Sequence, residues 1–316
     1  MADEITIFYG STTAAASAVV VNVYRWTSAN VWSSRTSGPT PARYRHGGCN
    51  FGEGFGVAVA GFNISSANIN DVDKFSMVGN SWSSETNFPV SMRSSGLELL
   101  EGDAQILSIS GQSDLNTRRM TIADSSWSTR TVIGDGLWGH MALPSTVNGS
   151  IIAYRTTTSK RYVNSANTWS ARATAVNSNS APPLSGWRTT THLLVGSLAT
   201  NQRYSVGGDT WSDRVNITGT SGTRTNQASN EGETYALSHG GSSNAVSKKI
   251  DDTANTESTL ASSPANICGG GPAEYILGVA IPPAVVAITA AIMLDNTEVE
   301  AGAAPGDIMI TYDFNP

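Results

Sequence analysis

The chain has 316 residues, a formal net charge of −6, and only 14% charged residues against 39% hydrophobic ones. A chain this rich in aliphatic and aromatic side chains is not disordered, and its acidic balance disfavours nucleic acid as the main partner. Two Cys cannot build a disulfide framework or a four-Cys zinc site.

The first residues, Met1-Ala2-Asp3-Glu4-Ile5, have neither a basic nor an apolar signal region, so no secretory leader is expected. Three strands are predicted next, at 5–10, 21–26 and 31–35. From there the sequence repeats. Trp32, Trp82, Trp127, Trp169 and Trp211 share one context, Asn/Ser/Asp-x-Trp-Ser, and Glu257 and Glu298 continue the register with Trp lost. Seven positions spaced by about 45 residues read as seven units.

Each unit carries the same parts in order. A short strand rich in small residues opens it, as at Gly47-Gly48-Cys49-Asn50. An apolar run follows, usually closed by Gly, as at Val57-Ala58-Val59-Ala60-Gly61, and is expected to be a central strand buried on both faces. Then a basic residue precedes a large one, as at Lys74-Phe75 and Arg161-Tyr162. Neighbours in a strand face opposite ways, so the large residue packs between sheets. Last come a turn and the Trp strand. The apolar stretch 276–294 is long enough for a bilayer, but Pro282-Pro283 interrupts it, and it reads as two buried strands rather than a membrane span.

Four short strands per unit with no helical period predict an all-β fold: a seven-bladed β-propeller with four-stranded antiparallel blades, one domain over 1–316. Residues 307–314 are expected to supply the inner strand of the blade begun by the three N-terminal strands. Glu257 and Glu298 are expected to make their junctions wetter than those with Trp.

The chain resembles the kelch family across Arg45-His46-Gly47, Val59-Ala60-Gly61, Lys74-Phe75 and Asn80-Ser81-Trp82, and again from Arg93 to Trp127. That resemblance implies the propeller fold, which hosts enzymes, lectins and scaffolds alike.

The chemistry is sparse. Gly208-Asp209-Thr210-Trp211 matches only the end of a sialidase-type box and reads as a structural turn. His46, His140, His192 and His239 show no metal-ligand spacing, so no metal or other cofactor is expected. Cys49 and Cys268 are expected to be separate buried thiols. Residues leading into the first strands should ring one mouth of the central channel: Arg45, His46, Arg93, Trp138, His140, Trp187, Arg188 and Arg224. Arg and Trp together suit sugars or anionic groups; alternatively, the Arg side chains fasten the blades through backbone carbonyls. The expected function is non-catalytic: an exposed attachment or virion-associated protein, a phage tail or capsid accessory component, contacting a surface glycan or protein partners of an assembly. The alternative is an extracellular carbohydrate-active enzyme, an oxidase or a glycosidase.

Overall fold

The computed structural model describes residues 4–11, 19–27, 29–51, 54–93, 96–100, 105–111, 114–134, 141–145, 150–155, 157–176, 187–188, 192–197, 200–216, 226–229, 235–239, 245–251, 253–265 and 271–275. The elements in them are all strands. The first three are β1 (Glu4–Ser11), β2 (Val19–Thr27) and β3 (Val31–Arg35). A second sheet holds β4 (Arg43–Tyr44), β5 (Gly47–Asn50), β6 (Phe55–Asn63), β7 (Asn68–Ser76) and β8 (Ser81–Ser84), with β4 and β5 both pairing with β6. The third is β9 (Gly96–Leu100), β10 (Gln105–Gly111), β11 (Asp114–Thr121) and β12 (Ser126–Thr129). The fourth is β13 (Met141–Ser145), β14 (Ser150–Arg155), β15 (Thr158–Val163) and β16 (Thr168–Ala171). The fifth is β17 (Trp187–Arg188), β18 (His192–Ser197), β19 (Thr200–Ser205) and β20 (Thr210–Arg214). The sixth is β21 (Asn226–Ser229), β22 (Tyr235–His239), β23 (Ser247–Asp251) and β24 (Thr256–Thr259). Finally β25 (Gly271–Tyr275) returns to the first sheet and pairs antiparallel with β1.

The fold is therefore all-β, as the repeat predicts. Six sheets form among the described residues, one fewer than the spacing predicts. The inner edge of β1, assigned from sequence to residues 307–314, is filled by β25, with Ile5 opposite Glu274 and Ile7 opposite Pro272. The physical reason is placement. β25 follows the sixth sheet directly and touches both β21 and β5, so it reaches β1's unpaired backbone groups first. Residues 276–294, position 298 and residues 307–314 lie outside the described residues. The chain divides into two compact units, Met1–Val279 and Ala280–Pro316, and every strand named above belongs to the first. Among the described residues, no helix is long and apolar enough to cross a membrane.

The second strands are central, as expected, and their side chains alternate between two seams. In β6, Val57 and Val59 pack toward the third sheet with Ile106 and Met120, while Ala58 packs with Val23 of the first sheet. In β10, Ile106 faces one seam, while Leu107 and Ile109 face the other with Ala153 and Tyr162. In β14, Ile152 and Tyr154 meet Tyr204 of the fifth sheet. The Gly that closes these runs marks a bulge: the register slips before Gly10, Gly61 and Gly111. Gly61 has φ +122°, and a Cβ there would sit 3.0 Å from His46 Cβ and 3.2 Å from the Tyr44 carbonyl. A side chain is excluded on both counts.

The large residue of each third strand is fully buried, and it faces the Trp across the hairpin: Phe75 opposite Trp82, Met120 opposite Trp127, Tyr162 opposite Trp169, Tyr204 opposite Trp211. The Trp rings themselves are half-buried. Their indole N–H groups cross to the linker that leaves the preceding sheet: Trp82 donates to the Thr36 carbonyl (3.1 Å), Trp127 to Thr86 (3.1 Å), Trp169 to Thr131 (3.2 Å) and Trp211 to Ala173 (2.9 Å). The same linker residue donates its own N–H to the turn residue two before the Trp. Thr36 bonds Asn80 Oδ1 (2.9 Å), Thr131 bonds Asn167 Oδ1 (3.0 Å), and Ala173 bonds Asp209 Oδ1 (2.9 Å). These turn residues lie in the left-handed region, with φ of 49° at Asn80, 53° at Asn167 and 48° at Asp209. That explains Asn and Asp there, since they tolerate this backbone better than other side chains.

The latch also joins the two ends of the series. Ala261, after β24, donates to Asn30 Oδ1 (2.9 Å) and accepts from the Trp32 indole (2.9 Å). First strands touch in the same cyclic order: β5 with β9, β9 with β13, β13 with β17, β17 with β21, β21 with β25, and β25 with β5. Where Glu257 replaces Trp, a charged pair takes the place of the indole. The Glu257 carboxylate is 11% exposed and pairs with Lys248 Nζ at 2.9 Å, itself 9% exposed.

Candidate binding face

β4 and the link to β5 carry Arg43 to His46, at the end of β6 where Phe62 lies. Arg43 is fully buried. Its guanidinium pairs with Asp73 and donates to the carbonyls of Asp71 (2.8 Å) and Ala60 (3.3 Å). Arg43, two residues before Arg45, fills a fastening role of the kind considered for arginines in the sequence. Between sheets it falls to Arg35, which donates to the Met77 carbonyl (2.6 Å), and to Arg130, which donates to the Asn164 carbonyl (2.9 Å).

Arg45 is half-buried, with a left-handed backbone (φ 54°). Its Cζ lies 5.3 Å from the centroid of Tyr44, and Tyr44 meets Phe62 edge to face at 5.6 Å. The Arg93 guanidinium sits against the same Phe62, 3.9 Å from its centroid. Two cations therefore rest on one aromatic pair, the geometry of favourable cation–π contact. Arg93 arrives there because Met92 is tied to the second sheet: its carbonyl accepts from Gly61 N–H (2.8 Å), and its N–H donates to Ile69 (3.2 Å).

His46 is fully buried, and burial, then the Arg43 charge, hold it well below the usual histidine range, so it is neutral at pH 7. It lies behind the cluster as a packing residue, in contact range of the position a Gly61 side chain would take. Of the eight residues expected at the channel mouth, the structure brings Arg45, His46 and Arg93 to this end of the second sheet. Trp187 and Arg188 form β17. Trp138, His140 and Arg224 lie outside the described residues. The sequence reading missed Tyr44 and Phe62, the platform under both cations. The available signal was the pairing of an aromatic at the first sheet-forming position with one just after the Gly of the second strand.

Cys49 is a buried thiol, as expected; burial and then Glu98 push it well above the ordinary cysteine range. Among the described residues, no group of His, Cys, Asp or Glu is arranged to hold a metal ion. A depression of about 480 Å³ lies elsewhere, at the seam between the third and fourth sheets, lined by Thr131, Ile133, Lys160, Asn167 and Trp169.

No family model matches the chain, and no curated protein matches it. A solved structure titled "Structure of YjhT" is similar, with a TM-score of 0.59 at 9% identity, covering 74% of this chain and 88% of that one. At such identity the likeness concerns the fold alone.

Proposed function

We propose that the chain is a kelch-like β-propeller of six blades that works as a non-catalytic binding module. In this reading it is an exposed attachment or virion-associated protein, holding a surface glycan or a protein partner on the face that bears Arg45 and Arg93. The cyclic latch and the cyclic contacts of first strands support the propeller architecture. The observation that carries the binding role is the paired cation–aromatic cluster, in which Arg45 and Arg93 are held against Tyr44 and Phe62. Rings that restrain a guanidinium lower the entropy it loses on binding a ligand.

Probing the purified chain against immobilised cell-surface glycans and candidate assembly proteins tests the reading. If the pair is the binding site, Arg45→Ala combined with Arg93→Ala should abolish the captured interaction while the melting temperature stays nearly unchanged; a large loss of melting temperature would instead assign these arginines to fastening. Turnover of a sugar substrate, or copper bound in purified protein, would overturn the non-catalytic reading.

A further inference from the structure

At the seam between the third and fourth sheets, isoleucines stand where the seams on either side hold rings. Phe88 lies two residues after Thr86, whose carbonyl takes the Trp127 indole N–H, and it meets that indole edge to face at 4.7 Å. Ile133 has the same place after Thr131, whose carbonyl takes the Trp169 indole. In β14, Tyr154 reaches across the next seam to Trp211 at 5.0 Å. Ile151 of β14 pairs with Tyr162 as Ile106 of β10 pairs with Met120, so the counterpart of Tyr154 in β10 is Ile109. Among the described residues, Trp169 thus meets a ring of its own sheet, Tyr162 at 5.1 Å, and none from across the seam. The depression of about 480 Å³ lies here, with Trp169 and Ile133 in its lining. Its volume is that of a small-molecule site, roughly 300–1,000 Å³.

The aromatic wall is held in place. The Trp169 N–H is shared between the Thr131 carbonyl (3.2 Å) and the Thr117 hydroxyl (3.1 Å). Val132, which is exposed, adds an apolar edge, and the exposed Ala171 keeps the adjoining position on β16 short. The rim is polar and neutral. Asn167 Oδ1 accepts from the Thr131 N–H and the Tyr162 hydroxyl, which fixes the amide and leaves its Nδ2 without a partner among the described residues. β16 is the outermost strand of its sheet, so alternate backbone N–H and C=O groups face away from β15. The charged group in the lining is Lys160, whose ammonium is engaged by the Ile133 carbonyl at 2.8 Å. No carboxylate or guanidinium lines the depression. A purely apolar ligand would leave the Asn167 amide unpaired.

We infer that this depression is a binding site for a neutral sugar: a pyranose ring stacks its C–H face on Trp169 and sets its hydroxyls against the Asn167 amide and the free edge of β16. An indole face beside a few oriented donors and acceptors matches a ligand that is apolar on its face and polar around its edge. The site shares no residue with the Arg45 and Arg93 face, so either one stands without the other.

Titration of the nitrogen-15-labelled full chain with methyl β-glucoside, methyl β-galactoside and methyl α-mannoside tests this. The Trp169 indole N–H signal, assigned by its loss in Trp169→Phe, should shift saturably with at least one of these sugars, while the Trp127 and Trp211 indole signals stay in place. Ile133→Phe, which copies the Phe88 seam, and Ala171→Met, at an exposed position, should each fill the depression. Binding should weaken about tenfold or more in both, the factor that loss of the stacked ring gives. Arg45→Ala with Arg93→Ala should leave the Trp169 shift intact, which separates this site from the arginine face. Absence of a saturable Trp169 shift with all of these sugars overturns the inference. So does a shift that persists undiminished in a folded Ile133→Phe or Ala171→Met chain.

Discussion

At three of the turns before a Trp, those of Asn30, Asn167 and Asp209, one side-chain oxygen collects two donors. Asn167 Oδ1 accepts from Thr131 N–H and from the Tyr162 hydroxyl at 2.9 Å, while its backbone sits at φ 53°. Asn167→Ala should therefore lose two hydrogen bonds and leave a Cβ in the left-handed region, costing about 2–4 kcal/mol in chemical denaturation. Asn167→Gly should recover about 1 kcal/mol of that, since only the acceptor is then missing. If both variants cost the same, the backbone contributes nothing. Asp209 plays the same part with a charge. Burial pushes its carboxyl up, but the Ala173 N–H, the Tyr204 hydroxyl and Arg172 outweigh it and hold Asp209 below the ordinary aspartate range. Tyr204 is pushed the other way, by burial and then by Asp209. A depressed carboxylate contributes stability that is complete above the unfolded-state pKa and is lost as pH falls through the folded one. Melting followed from pH 7 downward should thus show a smaller loss below pH ~4 in Asp209→Asn than in the parent chain. An identical acid slope in the two would contradict the assignment.

Elements show where sequence spacing stops being informative. The hairpin of each unit was legible because a basic residue, a large residue, a turn residue and a Trp recur at fixed separations, and all four have local causes. Trp82, Trp127, Trp169 and Trp211 stand where the spacing puts them. Spacing also showed that Trp is lost at position 257, yet it could not show what the Glu meets, because Lys248 lies on the neighbouring strand, at the inward position two before Ile250 that the buried Asp73 and Gln202 take in other sheets. The candidate face was partly legible for a similar reason. Arg45 and Arg93 precede first strands, but Phe62 joins them only through the β4–β6 pairing. The Lys248–Glu257 pair is nearly excluded from water, so removing one partner strands the other. Glu257→Ala should cost about 3–5 kcal/mol, whereas Lys248→Met with Glu257→Leu should be neutral or stabilising. Denaturation midpoints of the single variant and the double one check this. A double variant as weak as Glu257→Ala would show that the pair, rather than its packing, holds the hairpin.

At the scale of the whole molecule, the number of sheets among the described residues depends on a pairing that leaves no mark in the repeat. Asn296-Thr297-Glu298-Val299 looks like one more unit in the series, but the open edge of β1 takes β25. Sequence periodicity is local, whereas completion of the first sheet is decided by which strand is delivered to its distant edge. A chain ending at Val279 keeps β25 and both partners of the Ala261 latch. It should melt cooperatively, within about 2 °C of the full chain, the shift that 1 kcal/mol gives at this size. A chain ending before Gly271 should lose far more. Circular dichroism melts of the two truncations separate these outcomes, and collapse of the longer one would return the closing role to the residues after Val279. The meeting of β1 with β25 also sets an order of events during synthesis. β1, β2 and β3 leave the ribosome first, yet their sheet is the last to be finished, since its inner strand is made roughly 260 residues later; closing a loop of that length costs about 5 kcal/mol of chain entropy. At ordinary rates of translation, the newborn first sheet waits on the order of tens of seconds with one edge unpaired, the interval in which a chaperone, or a neighbouring chain on the same messenger, can reach it.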